Sequence, residues 1–417
     1  MLFFIPRFGW RMALAIPLLG LSINSHALTF EEAMNLAESR APELKAQSAN
    51  VASREAMKHS AGQLPDPKLE VGIENLPVSG PEQYSLTQDF MTMRKIGLMQ
   101  EFPNSEKRKA QADSARAEAA VAATRMQIEK LNVLRETAAA WIERSAAEKE
   151  IRLVDSLHKE NRLFDAAVKA KIASGKGSLS DGLVPRQEAA AIDNLESDLL
   201  ARRSKANSEL ERWIGKAASE PLQGDVPDWP VDHMMLSHAL HRHPELELFD
   251  SRSREIDAEI KEAKAEKIPD WGVELAYQQR APQFGNMASF QFTIGLPMFP
   301  ESRQDPKIAA KIAEKEALDD EREATSREHN AMLESDIAEY RRLKDSLKRQ
   351  KEVLLPLADE KISLIQADWK SGKASLADLA SARRERIETE LKTIELERSL
   401  SLVSARLHYA KLPGATP

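Results

Sequence analysis

Four histidines, His233, His238, His241 and His243, fall within eleven residues beside Met234 and Met235. His238 and His241 stand three apart, which puts them on one helix face where paired imidazoles could hold a divalent metal, with thioethers favouring Cu(I). No acid or Cys at ligand spacing completes a site, and the segment matches a plain helix start elsewhere in the chain. No metal site is assigned and no cofactor is expected. Met91, Met93, Met99, Met287 and Met298 read as apolar filler in strand regions rather than a copper relay. The sequence carries no Gly-rich phosphate loop, nucleophile elbow or His-Glu-x-x-His motif, and its carboxylates fall at helix-surface spacing, so an enzyme is not expected.

The more informative acids are Asp181 and Asp378, because they close two near-copies of one stretch. Ser174-Gly175-Lys176-Gly177-Ser178-Leu179-Ser180-Asp181 returns as Ser371-Gly372-Lys373-Ala374-Ser375-Leu376-Ala377-Asp378. Each copy lies where one long helix-favouring segment ends and a second begins, which predicts the tip of a helical hairpin. Gly supplies the backbone freedom of a tight turn, and Ser or Asp caps the next helix. Two readings apply to Gly175, Lys176, Ser178, Leu179, Gly372, Lys373, Ser375 and Leu376. One is turn chemistry alone; the other is a docking surface with Leu179 and Leu376 as exposed knobs for a helical-hairpin partner. Repetition of both the polar and the apolar letters favours docking. Asp181 and Asp378 explain themselves as helix caps.

Composition sets the frame around these tips. Of 417 residues, 42% are hydrophobic, 30% charged and only 5% aromatic, a balance that leans toward long helices and coiled coil. A net charge of -7 with no basic face argues against nucleic-acid binding. Residues 1–27 read as an export signal: Arg7 and Arg11, an apolar run from Met12 to Leu21, then Ser25-His26-Ala27 as the cleavage site. That run is too short to span a bilayer, which needs about 20 residues. Without Cys the mature chain, starting at Leu28, has neither disulfides nor a lipid-modified N-terminal Cys. No later window reaches transmembrane-helix length, so the product is soluble or crosses a membrane as strands.

The mature chain reads as a tandem duplication, residues 28–215 and 233–417, joined by a linker at 216–232 rich in Pro and Gly. Thr29-Phe30-Glu31-Glu32 is a capping box. Pro42-Glu43-Leu44 starts a helix, and Pro244-Glu245-Leu246 repeats that start 202 residues later. Strands follow in each copy, at about 67–102 and about 270–298. Leu69, Val71 and Ile73 alternate with polar residues, as do Val273, Leu275 and Tyr277, and Phe290, Phe292 and Ile294. The second strand of the first copy is read across Ser85 to Phe102. Long helices at about 104–173 and 302–370 lead to tips at 174–181 and 371–378, and return helices run at about 183–214 and 379–411. Neither Gly nor Pro occurs from Asn104 to Ser174, which predicts a helix about 100 Å long at 1.5 Å per residue. In the second copy Leu343, Leu347, Gln350, Leu354, Leu357, Lys361 and Leu364 follow heptad spacing and demand a partner helix, with Pro356 loosening the helix inside the seam.

Strands of about ten residues with one apolar and one polar face suit either a transmembrane β-barrel or a small soluble sheet packed on helices. Four strands cannot close a barrel, since known ones need at least about eight. If the strands lie in a membrane, the protein is an oligomer. Hairpins about 100 Å long set the same demand, because only neighbours can bury their apolar seams.

The order of elements, the duplication, the two Gly-x-x-Ser-Leu-x-Asp tips, the export signal and the Pro-Glu-Leu starts together resemble the TolC-type outer-membrane efflux factors. The resemblance spans Leu28 to about Leu412. It implies an α+β, mostly α fold: a homotrimer closing into a 12-stranded β-barrel in the outer membrane of a Gram-negative cell and a 12-helix tunnel in the periplasm. Such a duct meets outer-membrane lipid, docks a periplasmic adaptor (membrane fusion) protein and, through it, an inner-membrane resistance-nodulation-division transporter. The segment from Gln88 to Gly97, with no lipid-bearing Cys, is most similar to members serving heavy-metal efflux, either copper/silver or cobalt/zinc/cadmium. In the family the acid after the second tip lines a constricted mouth, which makes Asp181 and Asp378 the implied channel gate. This chain has Ser381 where a second acid often sits, Ala374 in place of a basic latch residue and Trp369 in place of the latch's aromatic partner, so its gate is expected to rest on packing. A duct for organic compounds or type I protein secretion shares the fold and tips, and a periplasmic coiled-coil scaffold remains if the strands are soluble.

Overall fold

A computed structural model describes residues 27–240 and 243–410. The expected signal peptide lies outside the described residues apart from its last residue. Among the described residues, the first copy comprises α1 (Phe30–Arg40), α2 (Pro42–Ser60), β1 (Lys68–Glu74), β2 (Met93–Phe102), α3 (Ser105–Ala173) and α4 (Val184–Ile214). The second comprises α5 (His233–Leu240), α6 (Pro244–Ala265), β3 (Trp271–Gln279), β4 (Met287–Ile294), α7 (Pro300–Arg349), α8 (Leu355–Ser371) and α9 (Leu376–His408). No described helix is long and apolar enough to cross a membrane.

Local signals start the helices. The Thr29 hydroxyl accepts from the Glu32 amide while Glu32 reaches back to the Thr29 amide, closing the capping box. Pro42 and Pro244 occupy first-turn positions, where a missing N–H costs nothing. The 69-residue α3 runs unbroken. Its counterpart is α7 and α8 joined by a π-turn at Gln350–Leu354, where the Leu355 amide bonds the Gln350 carbonyl. Pro356 lies two residues past that turn and has no N–H to give, so the wide turn absorbs the break while the helix runs on. Buried Gln350 crosses to α9, its amide donating to the Thr389 carbonyl at 3.0 Å. Beyond it, Leu354, Leu357 and Leu364 of the heptad seam lie exposed, whereas Leu343 is buried. Among the described residues, none covers the outer half of the seam.

The four strands form one antiparallel sheet in the order β1-β2-β3-β4. The second strand begins at Met93 rather than Ser85, because Asp89 draws the preceding residues into a side-chain turn. Its carboxylate accepts from the amides of Met91 at 2.7 Å and Thr92 at 3.0 Å, an arrangement that competes with an extended ladder. Register aligns Leu69 with Leu98, Leu98 with Leu275 and Leu275 with Phe290, and likewise Val71, Ile96 and Tyr277. One continuous apolar face thus crosses all four strands.

The main core surrounds Trp141 on α3, fully buried with Val133, Leu210 and Ile214, with Phe30 buried beside them. Each such side chain contributes about 1.5–3 kcal/mol of burial. The linker belongs to this core: Trp229 stacks on His408 and meets Phe30 edge-on, and Leu28 bridges to Leu222. Its Pro-rich composition gives irregular backbone rather than a loose tether.

At the junction of sheet and helices, Asn104 ties the copies together. Its side chain caps α3 by accepting from the Lys107 amide at 2.8 Å and donates to the carbonyls of Ala265 and Ile268. Its own amide donates to Asp270 at 2.7 Å. The end of β2 is thereby fixed against the start of β3.

Candidate functional site

The two tips differ in how the turn is closed. Gly175 has φ 71° and Gly372 φ 81°, the left-handed region where a side chain is strained. In the first tip the Asp181 carboxylate accepts from the Ser178 amide at 2.9 Å, and a short 3-10 turn at Leu179–Leu183 precedes α4. In the second, Asp378 accepts from the Ser375 amide at 3.0 Å and the Ser375 hydroxyl at 2.6 Å, and α9 begins at once. A Cβ on Gly177 would stand 3.2 Å from Ile172 Cγ1 and 3.3 Å from Asp181 Oδ2. The second tip has room for Ala374 at the matching place. Both acids therefore act as caps, and the Ser375 hydroxyl holds the Asp378 carboxyl below the usual aspartate range.

Lys176, Ser178, Lys373 and Ser375 are exposed. Leu179 is 86% exposed. Leu376 is not: it turns inward against the cluster of Phe164, Val168, Trp369 and Leu379. The reason is that α9 starts at Leu376 itself, so its side chain falls on the face toward α3, whereas Leu179 starts a 3-10 turn that projects it outward.

That cluster joins the tips to each other. Trp369 is 7% exposed, with its ring 6.3 Å from Phe164 and edge-on to it. Lys171 Nζ lies 4.4 Å from the Trp369 ring centroid and donates to the Trp369 carbonyl at 2.9 Å. One layer up, Arg383 crosses from α9 to Glu188 on α4 at 2.8 Å while covering the Phe164 ring at 4.9 Å. Arg386 pairs with Asp359 at 2.8 Å, Glu390 at 2.7 Å and Glu160 at 3.4 Å. Half-burial pushes the Glu390 carboxyl up. Sequence reasoning singled out Trp369 but missed Lys171, Arg383 and Arg386, because their partners lie on other helices and leave no local spacing.

The sheet supplies a second surface. Opposite its apolar face, Glu70, Glu74, Glu101 and Glu274 share a side with Lys68 and Lys95. Lys95 gathers Glu274 at 2.5 Å, Glu70 at 3.1 Å and Glu74 at 3.5 Å. Gly97 makes this possible, since a Cβ there would stand 3.1 Å from Glu274 Oε1 and from Ala276 Cβ. With four carboxylates against two lysines, this face favours cations.

The described histidines of the cluster separate. His233 pairs with Glu334 at 2.7 Å, His238 lies exposed on α5, and His241 lies outside the described residues. His243 instead caps α6 and meets Glu245 and His329.

This architecture has close counterparts. The sequence profile of the outer membrane efflux protein family matches residues 33–216 and 235–410. Among curated proteins no significant relative matches the sequence. Among solved structures, a membrane protein from Pseudomonas aeruginosa superposes with TM-score 0.80 at 16% identity, covering 91% of this chain and 92% of its own. CusC superposes at 0.77 with 14% identity, covering 91% of each chain, and VceC from Vibrio cholerae at 0.77 with 15% identity, covering 91% and 95%. At these identities the likeness establishes the fold. The family match runs through both copies, and by it the chain belongs to the outer membrane efflux proteins, a family of channels rather than enzymes.

Proposed function

We propose that this protein is the outer-membrane exit duct of a tripartite pump that exports heavy-metal cations. Three chains close their sheets into a 12-stranded barrel and extend a 12-helix tunnel into the periplasm. The observation that carries the duct is the sheet itself: among the described residues β1 and β4 each have one strand partner, and an apolar face crosses all four strands. Open edges are not tolerated in hydrocarbon, so such a sheet in a bilayer closes with neighbours. The exposed Leu354, Leu357 and Leu364 make the same demand of the helices.

The exposed tip residues Gly175, Lys176, Ser178, Leu179, Gly372, Lys373 and Ser375 form the adaptor-docking rim, and through the adaptor an inner-membrane resistance-nodulation-division transporter drives export. Leu376 contributes by holding the second tip in shape. The metal cargo is supported by the similarity of Gln88 to Gly97 to heavy-metal members and by the acidic inner face around Glu274. Detergent extraction of outer membranes should give a trimer that conducts ions in a planar bilayer; a monomer in the periplasmic supernatant would overturn the duct. A deletion strain should become sensitive to added copper, silver, zinc, cobalt or cadmium. Unchanged tolerance to all five, with lost tolerance to organic compounds or lost protein secretion, would overturn the metal cargo alone.

A further inference from the structure

The N-terminus of α6 meets α7 through two imidazoles and one carboxylate. His243 is 9% exposed, and its ring centroid lies 4.6 Å from that of His329. His329 Nε2 lies 2.6 Å from Glu245 Oε2, and the three potential ligand atoms all fall within 4.8 Å of one another. We propose that His243, Glu245 and His329 form a divalent-metal site, of zinc-like preference, that staples α6 to α7. The site is independent of what the duct carries.

Its chemistry selects the ion. Two nitrogens and one carboxylate oxygen with no thiolate suit Zn2+, Co2+, Ni2+ or Cu2+ rather than Ca2+ or Mg2+, which take oxygen ligands. Metal bonds of about 2.0–2.1 Å place tetrahedral ligands roughly 3.4 Å apart, so on binding the His329 and Glu245 ligand atoms, 2.6 Å apart in their hydrogen bond, move apart by about 0.8 Å to admit the ion. Binding replaces two contacts: the His329–Glu245 hydrogen bond and the long 3.3 Å bond from the Glu245 amide to His243 Nδ1. The Glu245 side chain is 40% exposed against 16% for His329, leaving an entry path and room for a water as fourth ligand. Two positive influences oppose a cation here. The helix N-terminus is offset by Glu245 and Glu247 in the first turn. The Arg135 guanidinium donates to Asn132 at 2.8 Å on its own helix and also lies within 3.8 Å of Glu136. A second cluster, His158 with Asp193 and Glu196, offers one imidazole only and an exposed Asp193.

The test is titration of the purified full chain in detergent with Zn2+ by calorimetry and with Co2+ by visible absorption. The expected result is one ion per chain, a Co2+ d–d spectrum and a Zn2+-dependent rise in Tm. His329→Gln keeps a hydrogen-bonding partner for Glu245 and should hold the fold, yet lower Zn2+ affinity by more than ~100-fold, above the range of outer-shell partners. Glu245→Gln should weaken binding, and His233→Ala should leave it unchanged. No stoichiometric binding by the wild-type chain, or His329→Gln binding as tightly as wild type, would overturn the site and leave the trio as a hydrogen-bonded clasp.

Discussion

Lys171 and Trp369, one at the end of each long helix and each just before its tip, are in direct contact: the ammonium sits 4.4 Å from the indole centroid and donates to the Trp369 carbonyl at 2.9 Å. The two hairpin ends of one chain are thus fastened to each other. If the chain forms the duct proposed above, gating has to loosen or carry this clasp. Trp369→Ala removes a buried aromatic ring and should cost about 3 kcal/mol, visible as a lower Tm, and should raise single-channel conductance. Lys171→Ala removes a cation-π contact of about 0.5–1 kcal/mol, so its effect on Tm should be small while conductance still rises. Conductance at wild-type level in both variants would remove the clasp from the gate.

Asp181 and Asp378 cap their turns, and the same geometry leaves their charge near the tip rim. Asn at both positions retains an acceptor for the Ser178 and Ser375 amides but removes the charge. In the trimer proposed above, the doubly substituted chain should remain stable and lose cation preference, measured as a fall of the cation-to-anion permeability ratio toward unity. An unchanged ratio would return both residues to the role of caps alone.

The second tip carries its own pH dependence. Hydrogen bonds from the Ser375 hydroxyl and amide depress the folded-state pKa of Asp378 below its ordinary value of 3.8. A depressed acid contributes stability above the unfolded value and loses it as pH falls through the folded value. Comparing wild type with Asp378→Asn by hydrogen exchange at Lys373 to Leu379 should show a constant difference in protection above about pH 5 that disappears at lower pH. A difference that grew on acidification would contradict the cap.

The sheet's two faces should respond oppositely to charge. Leu275 and Phe290 lie opposite each other on the apolar face and Gln291 points to the other. Phe290→Arg should cost about 2–4 kcal/mol if it faces lipid at mid-depth, reducing folded trimer recovered from outer membranes. Gln291→Arg should assemble normally and shift ion selectivity toward anions. Equal assembly of both variants would argue for a soluble sheet.

The elements that repeat a local pattern were legible in the chain. Alternation at period two fixed the apolar face from Leu69 to Phe290, the absence of Gly and Pro fixed the length of α3, Thr29 announced a capping box through Glu32, and each tip announced a cap through its Ser or Asp. The duplication was readable because both copies use the same turn chemistry. Even the loosened turn before Pro356 followed from a ring that offers no N–H. The false start of the second strand at Ser85 came from the same local level, where the Asp89 turn outcompeted extension.

Tertiary structure decided what meets across the chain. Leu376 looked like Leu179 in sequence, yet it packs inward because the rotation of α9 against α3 and α8 sets its direction. His243 found His329, since α6 lies against α7 and brings together residues 86 apart. Lys171 and Trp369 belong to different copies, and their spacing in sequence carries no period. Helical and strand periodicities record which side of an element is apolar; they do not record the axial offset between two helices each many turns long. That offset is set by the sum of many side-chain contacts along the helices, and it places the clasp, the charged layer above it and the histidine pair.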